Sequence, residues 1–196
     1  MAEVDEVGES APLQHDRRDH TVWILVLADL VMFGSFFIVF ALYRNKDMAQ
    51  FAINQKELSR GIGTVNALIL LTSSLFMVIA VRRARAGAQS SRWITAAAVC
   101  GGAFAVIKIG EYLDKAAHGI WMDSSMFFQL YFGFTGTHLS HVLCGVGVLL
   151  VARRAGRRVA AGRAQEGDLV VIEHTAVYWH LVDLLWLILF PLLYLS

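Results

Sequence analysis

Seven ionisable side chains fall inside the apolar stretches of this chain: Asp29, Lys108, Glu111, His138, His141, His180 and Asp183. At bilayer depth a charged group costs at least ~2–3 kcal/mol on insertion scales, so each needs a partner or a task. Lys108 and Glu111 stand three residues apart and can neutralise one another on a helix, or form part of a polar relay or head-group site. His138 and His141 have the same spacing and turn partly toward one side, and histidine is the residue type that ligates haem or metal. One helix cannot offer both axial ligands to a single haem at that spacing, because those ligands lie on opposite ring faces. His174 or His180 would have to supply the second ligand, and hydrogen bonds to Asp29, Asp183 or Glu111 are the simpler reading. Asp29 shares a helix face with Phe33, Phe36 and Phe40. Desolvation among rings disfavours the charged carboxylate, so Asp29 is either a protonatable group or a neutral carboxyl bonded to a neighbouring helix. His180 and Asp183 share a face of the last segment and are tolerable there only if they point at other helices.

Other chemistry has no motif. The sequence contains no phosphate-binding loop, dinucleotide fingerprint, nucleophile elbow, HExxH or copper-type CxxxC. Cys100 and Cys144 lack metal or redox spacing and read as small buried residues. Catalytic residues and a metal site are therefore not expected, and the net charge of +1 does not suggest nucleic-acid binding.

The elements that must hold these groups are helices in a membrane. Hydrophobic residues make up 57% of the chain, too many for an ordinary soluble fold. Five apolar runs, at roughly 21–43, 60–82, 93–113, 125–151 and 174–195, are each long enough to span a bilayer. Backbone groups in lipid must bond internally, and the alternation of a membrane barrel is missing. The fold class is an all-α membrane protein, a bundle of five transmembrane helices over 21–196, with residues 1–20 a disordered cytoplasmic tail. Asn66 and Ser73 share a face of the second span, with Thr72 and Ser74 beside them, as interhelical hydrogen-bonding groups. Gly101, Gly136 and Ser140 are small enough for close helix approach.

Basic residues set the orientation. Eleven, including Arg82, Arg83, Arg85, Arg92 and Arg153 to Arg163, fall on the side of the N-terminus, against five on the other. The N-terminus is expected in the cytoplasm and the C-terminus outside, with the basic loops against anionic head groups.

Four motifs carry a family resemblance. "YWHLVDLLWLILFPLLYL" resembles the closing Tyr-Trp-His-Phe-Val-Asp signature of haem–copper (cytochrome c) oxidase subunit III. "GFTGTHLSHVLCG" is similar to its Gly-Phe-His-Gly-x-His-Val motif, and "IKIGEYL" to its Gln-x-x-Glu-Tyr stretch. "LADLVMFGSFF" resembles its Ser-Glu-x-Met-Phe-Phe segment, with Asp29 where the family has a carbodiimide-reactive glutamate. The resemblance runs from about Thr21 to Ser196, in the short five-helix form without two N-terminal helices. Three positions depart from the pattern: Asp29 is one methylene short, Lys108 replaces a common glutamine, and Thr137 stands at a small or histidine position. "NALILLTSSLFMVIAVRRAR" and "LFPLLYL" look more like the branch associated with nitric-oxide reductase.

The resemblance implies a non-catalytic accessory subunit of an electron-transport complex in a bacterial-type inner (plasma) membrane. Its expected partner is a haem–copper subunit I, which would hold the haem and copper or iron, while this chain binds none. Structural phospholipid and support of proton uptake are further expectations. Asp29, Glu111, His138, His141, His180 and Asp183 would stabilise the bundle and shape a proton-linked surface. A small proton channel or transporter, or a b-type haem protein, are the alternatives. An inverted repeat of the transporter kind is not found between the halves.

Overall fold

The computed structural model describes residues 13–165 and 167–195, with side chains from Trp23 onward. The elements are α1 (Leu13–Lys46), α2 (Met48–Gln55), α3 (Arg60–Arg85), α4 (Ser91–Ala117), α5 (Met126–Ala160) and α6 (Asp168–Phe190), followed by a π-turn over Pro191–Leu195. Five segments are long and apolar enough to cross a membrane: Trp23–Lys46, Arg60–Arg85, Ser91–Ala117, Met126–Ala160 and Asp168–Leu195. No strand occurs among the described residues, and the all-α membrane architecture is as expected.

The boundaries differ from the expected ones in three places. Helix α1 begins at Leu13, so residues 13–20 are helical where a tail was expected; residues 1–12 lie outside the described residues. "LQHDRRDH" contains no proline or glycine to stop the span's helix from propagating into water. Helix α5 continues past residue 151 to Ala160, because an arginine-rich stretch without proline can stay helical while its guanidinium groups reach the interface. Helix α2 was not anticipated: Asp47 accepts a capping bond from the Gln50 amide at 3.1 Å, and Phe51 is buried edge-on against Phe40 and Phe127.

Local signals set the remaining ends. Ser59 and Ser125 cap α3 and α5 through their hydroxyls. Helix α3 ends at Gly87, whose φ of +65° lets the Ala88 amide reach Arg83 O at 2.9 Å. Gly162, at φ +66°, ends α5 in the same way, with the Arg163 amide on Arg158 O. Asp168 then closes the α5–α6 turn by accepting from Arg158 Nε at 3.0 Å and from the Gln165 amide at 2.9 Å.

Helices α3, α4, α5 and α6 pack in sequence, and α6 closes back on α3 to make a ring. Trp179 is its centre. The indole donates to Ser73 Oγ at 3.0 Å, and that hydroxyl donates to Ala97 O at 2.9 Å, joining α6, α3 and α4. Gly101 and Gly145 make room for the indole: a Cβ on either would fall 2.6–2.7 Å from its ring atoms. Gly63 admits Phe190 and Tyr194 likewise, and Gly156 admits Ser90.

Helix α1 stands outside this ring. Its attachment to α5 is a ladder of aromatic contacts. Phe33 meets His141 at 5.6 Å, Phe36 stacks on Phe134 at 4.7 Å, and Phe40 meets Phe127 at 6.5 Å. The opposite face, with Trp23, Ile24, Leu27, Val31, Ile38 and Leu42, is exposed.

Some expected packing residues do other things. A methyl group placed on Gly136 would meet nothing within 4 Å, and exposed Ser140 donates to Thr137 O of its own helix. Both lie on the α5 sides turned away from neighbouring helices. Asn66 is fully buried but makes no side-chain hydrogen bond to another helix among the described residues. Cys144 is exposed and Cys100 half-buried, rather than both being core residues.

Candidate functional site

The polar groups read from the sequence separate into three places. The first lies at the α2 end of the ring. Lys108, fully buried, places Nζ 3.0 Å from Glu111 Oε2, 2.9 Å from the Tyr131 hydroxyl and 2.8 Å from the Tyr194 hydroxyl. An ammonium has three N–H donors, and all three are used. Tyr194 in turn donates to the Glu111 carboxylate, at 2.9 and 3.0 Å from its two oxygens. The rings of Tyr112, Tyr131, Trp186 and Tyr194 lie 4.7–5.4 Å from Nζ, adding cation–π attraction. A buried ion pair is favourable only when its remaining hydrogen bonds are satisfied, and here they are.

The helices explain this placement. Glu111 is one turn beyond Lys108 on α4, Tyr131 comes from the start of α5, and Tyr194 is delivered by the π-turn. The π-turn is itself held by Gln55 of α2, which donates to Leu193 O at 2.9 Å. Beside the cluster, Tyr112 and Thr135 bond at 2.7 Å, and Lys115 Nζ caps Glu57 O at 3.0 Å. Sequence reasoning found the Lys108–Glu111 pair but missed Tyr131 and Tyr194. A signal existed: one carboxylate cannot occupy three ammonium donors, so further acceptors had to come from distant parts of the chain.

The second place joins α1 to α5. Asp29 Oδ1 lies 3.4 Å from His141 Nε2, with side-chain exposures of 14% and 19%. His141 Nδ1 is 2.8 Å from Thr137 O; a carbonyl only accepts, so Nδ1 carries a proton. Nε2 is then the ring nitrogen that faces Asp29, able to accept from a carboxylic acid or, once protonated, to lie beside a carboxylate. Passing a proton between those two arrangements changes no net charge. The second Asp29 oxygen is buried without a partner among the described residues.

The third place is inside the ring. His138 is fully buried, stacked on Trp186 at 5.2 Å and edge-on to Phe104 at 5.6 Å. The expected bonds from His138 to a carboxylate are not formed, because α5 turns His141, not His138, toward Asp29. His180 bonds Ser74 Oγ through Nδ1 at 2.6 Å, although it shares a helix face with Asp183. The Ser74 hydroxyl also lies beside Asp183, but its short contact is with His180, and neither Asp183 oxygen makes a hydrogen bond among the described residues. His138 and His141 thus address different neighbours and do not converge. Among the described residues, no group of three or more His, Cys, Asp or Glu is placed to hold a metal ion.

Comparison with known proteins gives a consistent result. The family model described as "Cytochrome c oxidase subunit III" matches residues 18–196. The chain is 30% identical over 200 residues to a cytochrome c oxidase subunit 3 of Thermostichus vulcanus, covering 97% of this chain and 96% of that one. It is 24% identical over 206 residues to a quinol oxidase subunit 3 of Bacillus subtilis, covering 100% and 97%. A "Heme-copper oxidase subunit I+III" of Aeropyrum pernix matches at 25% over 200 residues, which is 95% of this chain and 24% of that longer protein.

Proposed function

The chain belongs to the cytochrome c oxidase subunit III family, and on that premise we propose that it serves a haem–copper catalytic subunit by holding a proton-bearing pair at the junction of α1 and the helix ring. It is a multi-pass membrane protein and a non-catalytic accessory subunit of a haem–copper oxidase. The observation that carries the proposal is the Asp29–His141 pair, 3.4 Å apart, with His141 Nδ1 committed to Thr137 O. The pair is largely shielded, and a proton arriving there moves between acid and base without a change of net charge, which suits a proton-linked surface beside a partner. Oδ2 of Asp29 is left for a donor from outside the chain.

The partner is a subunit I-type protein, where the haem and copper or iron reside; the joined name of the Aeropyrum pernix relative supports this pairing. Phospholipid occupies the apolar groove between α1 and the end of α6, lined by Phe37, Ile188, Pro191, Leu192 and Leu195. The membrane is a bacterial-type inner membrane, with the N-terminus in the cytoplasm, an orientation supported by the arginine-rich α3–α4 and α5–α6 turns.

The test uses the assembled complex. Asp29→Asn and His141→Ala should leave the chain in the purified complex, slow proton uptake at high turnover and shorten the time to inactivation, with Asp29→Glu restoring most of both. Turnover, uptake and lifetime equal to the unmodified complex in both variants would refute the proton-linked role. The stretches resembling the nitric-oxide-reductase branch support a second reading, in which the partner reduces nitric oxide. Identifying the co-purifying catalytic subunit and comparing its rates with oxygen and nitric oxide decides between acceptors.

A further inference from the structure

Four residues inside the ring share an unusual property. Asn66 of α3, His138 of α5, and Asp183 and Trp186 of α6 are each 3% exposed or less, and their side-chain nitrogens and oxygens make no hydrogen bond among the described residues, with only the Ser74 hydroxyl lying beside Asp183. A stranded buried donor or acceptor costs roughly 1–3 kcal/mol, so an interior concentrating such groups calls for a shared partner.

The register puts the four together. Gly63 of α3 touches Phe190 of α6 and Tyr194 of the π-turn, so Asn66, one turn further along α3, lies level with Trp186, one turn earlier on antiparallel α6. His138 and Phe104 join that level through their ring contacts with Trp186, at 5.2 and 4.9 Å. Asp183 is three residues before Trp186 on the same α6 face, and Cys100 of α4 lies within its electrostatic reach.

Among the described residues the groups do not satisfy one another. His138 and Trp186 stack with their planes 28° apart, so the in-plane N–H of one ring is not aimed at the nitrogen of the other. Trp186 Nε1 only donates, the two oxygens of a carboxylate accept, neutral histidine does one of each, and the Asn66 amide does both. A molecule with two donors and two acceptors fits this set, and buried waters typically make ~2–4 such bonds.

We infer that the ring encloses a bound-water site between Asn66, His138, Asp183 and Trp186, one layer inward from Lys108. This site is separate from the Asp29–His141 pair on the outside of α5, and the two stand or fall independently. A water there bridges α3, α5 and α6 at a level where these four side chains make no direct polar contact among the described residues. It also extends the hydrogen-bonded interior from the Lys108–Glu111 cluster toward Asp183 and the Ser74–His180 bond.

The test is a map of the intact complex, in native lipid, at a resolution where ordered waters appear on other buried groups. One or more waters within about 3.2 Å of His138 and Asn66 support the inference. Direct Asn66–His138 pairing, or no density between them where other waters are resolved, overturns it. A second arm reads the sign of a stability change. His138→Phe keeps the ring volume; with a bridging water present it strands the other three groups and lowers the Tm by about 2–4 °C or more. In a dry layer the same change removes an unsatisfied group and raises the Tm, which would overturn the site. Should that variant fail to assemble, Asn66→Leu and the map of the unmodified complex decide the question.

Discussion

Helix α1 and the α3–α6 ring are made of similarly apolar helices, yet they are held in opposite ways. Helix α1 contains the most apolar of the five spanning windows and buries the least of it, whereas α6 is less apolar and half buried. In water that ordering would be strange. In lipid the acyl chains are as apolar as leucine, so hydrophobicity drives no helix against another; small residues and polar bonds do. The ring has both, in Gly101, Gly145, Ser73, Lys108 and Glu111. Helix α1 has phenylalanine rings and one acid–base pair.

That contrast can be broken experimentally, starting with the largest effect. Glu111→Ala should destabilise the ring by about 3–5 kcal/mol, since it strands a buried ammonium. Loss of the chain from the purified complex, or a large drop in its Tm, reads this out. Replacing both partners, as Lys108→Met with Glu111→Leu, should recover much of the loss. A mild phenotype for Glu111→Ala would mean the polar bonds of the ring matter no more than the aromatic ladder. Next comes Gly145→Ala, which forces a methyl into the Trp179 ring and should cost about 1–3 kcal/mol by overpacking. Thermal melting of the complex measures it.

On the α1 side the effects should shrink. Phe36→Ala removes a stacked ring, but lipid replaces the lost apolar contact, leaving about 0.5–1.5 kcal/mol from ring geometry. Protease accessibility of the α1–α2 connection gives a sensitive measurement. A loss as large as that of Glu111→Ala would erase the distinction between the two regions. Smallest is Asp29→Asn, expected to change stability by less than about 1 kcal/mol, the usual size of an interhelical polar contact in lipid, while altering turnover. Stability falling together with activity would assign Asp29 to the scaffold.

The spans were legible because hydrocarbon thickness imposes a length on apolar runs, and no tertiary context can override that. The Lys108–Glu111 pair and the Asp29–Phe33–Phe36–Phe40 face were legible for a related reason: helical spacing alone brings them together. Other features depend on which helix ends up beside which. Tyr194 reaches Lys108 across 86 residues of sequence, and Trp179 selects Gly101 and Gly145 but leaves Gly136 without a neighbour. His138 and His141 look equivalent in the sequence, yet the ring closes around one and presents the other to α1. Helix α2 was hidden because eight residues are too few for a spanning signal, and its one strong cue, the Asp47 cap, lies at the end of an apolar run.

The π-turn after α6 has a geometric effect beyond ending a helix. Eight residues separate Trp186 from Tyr194, and in a regular α-helix that spacing would leave the two side chains roughly 80° apart in azimuth. The wider i→i+5 winding takes up one residue without advancing the face, so both rings come within 5.2–5.4 Å of a single ammonium. The turn therefore acts as a vernier: it resets the rotational phase of the chain so that its closing tyrosine points inward instead of into the bilayer.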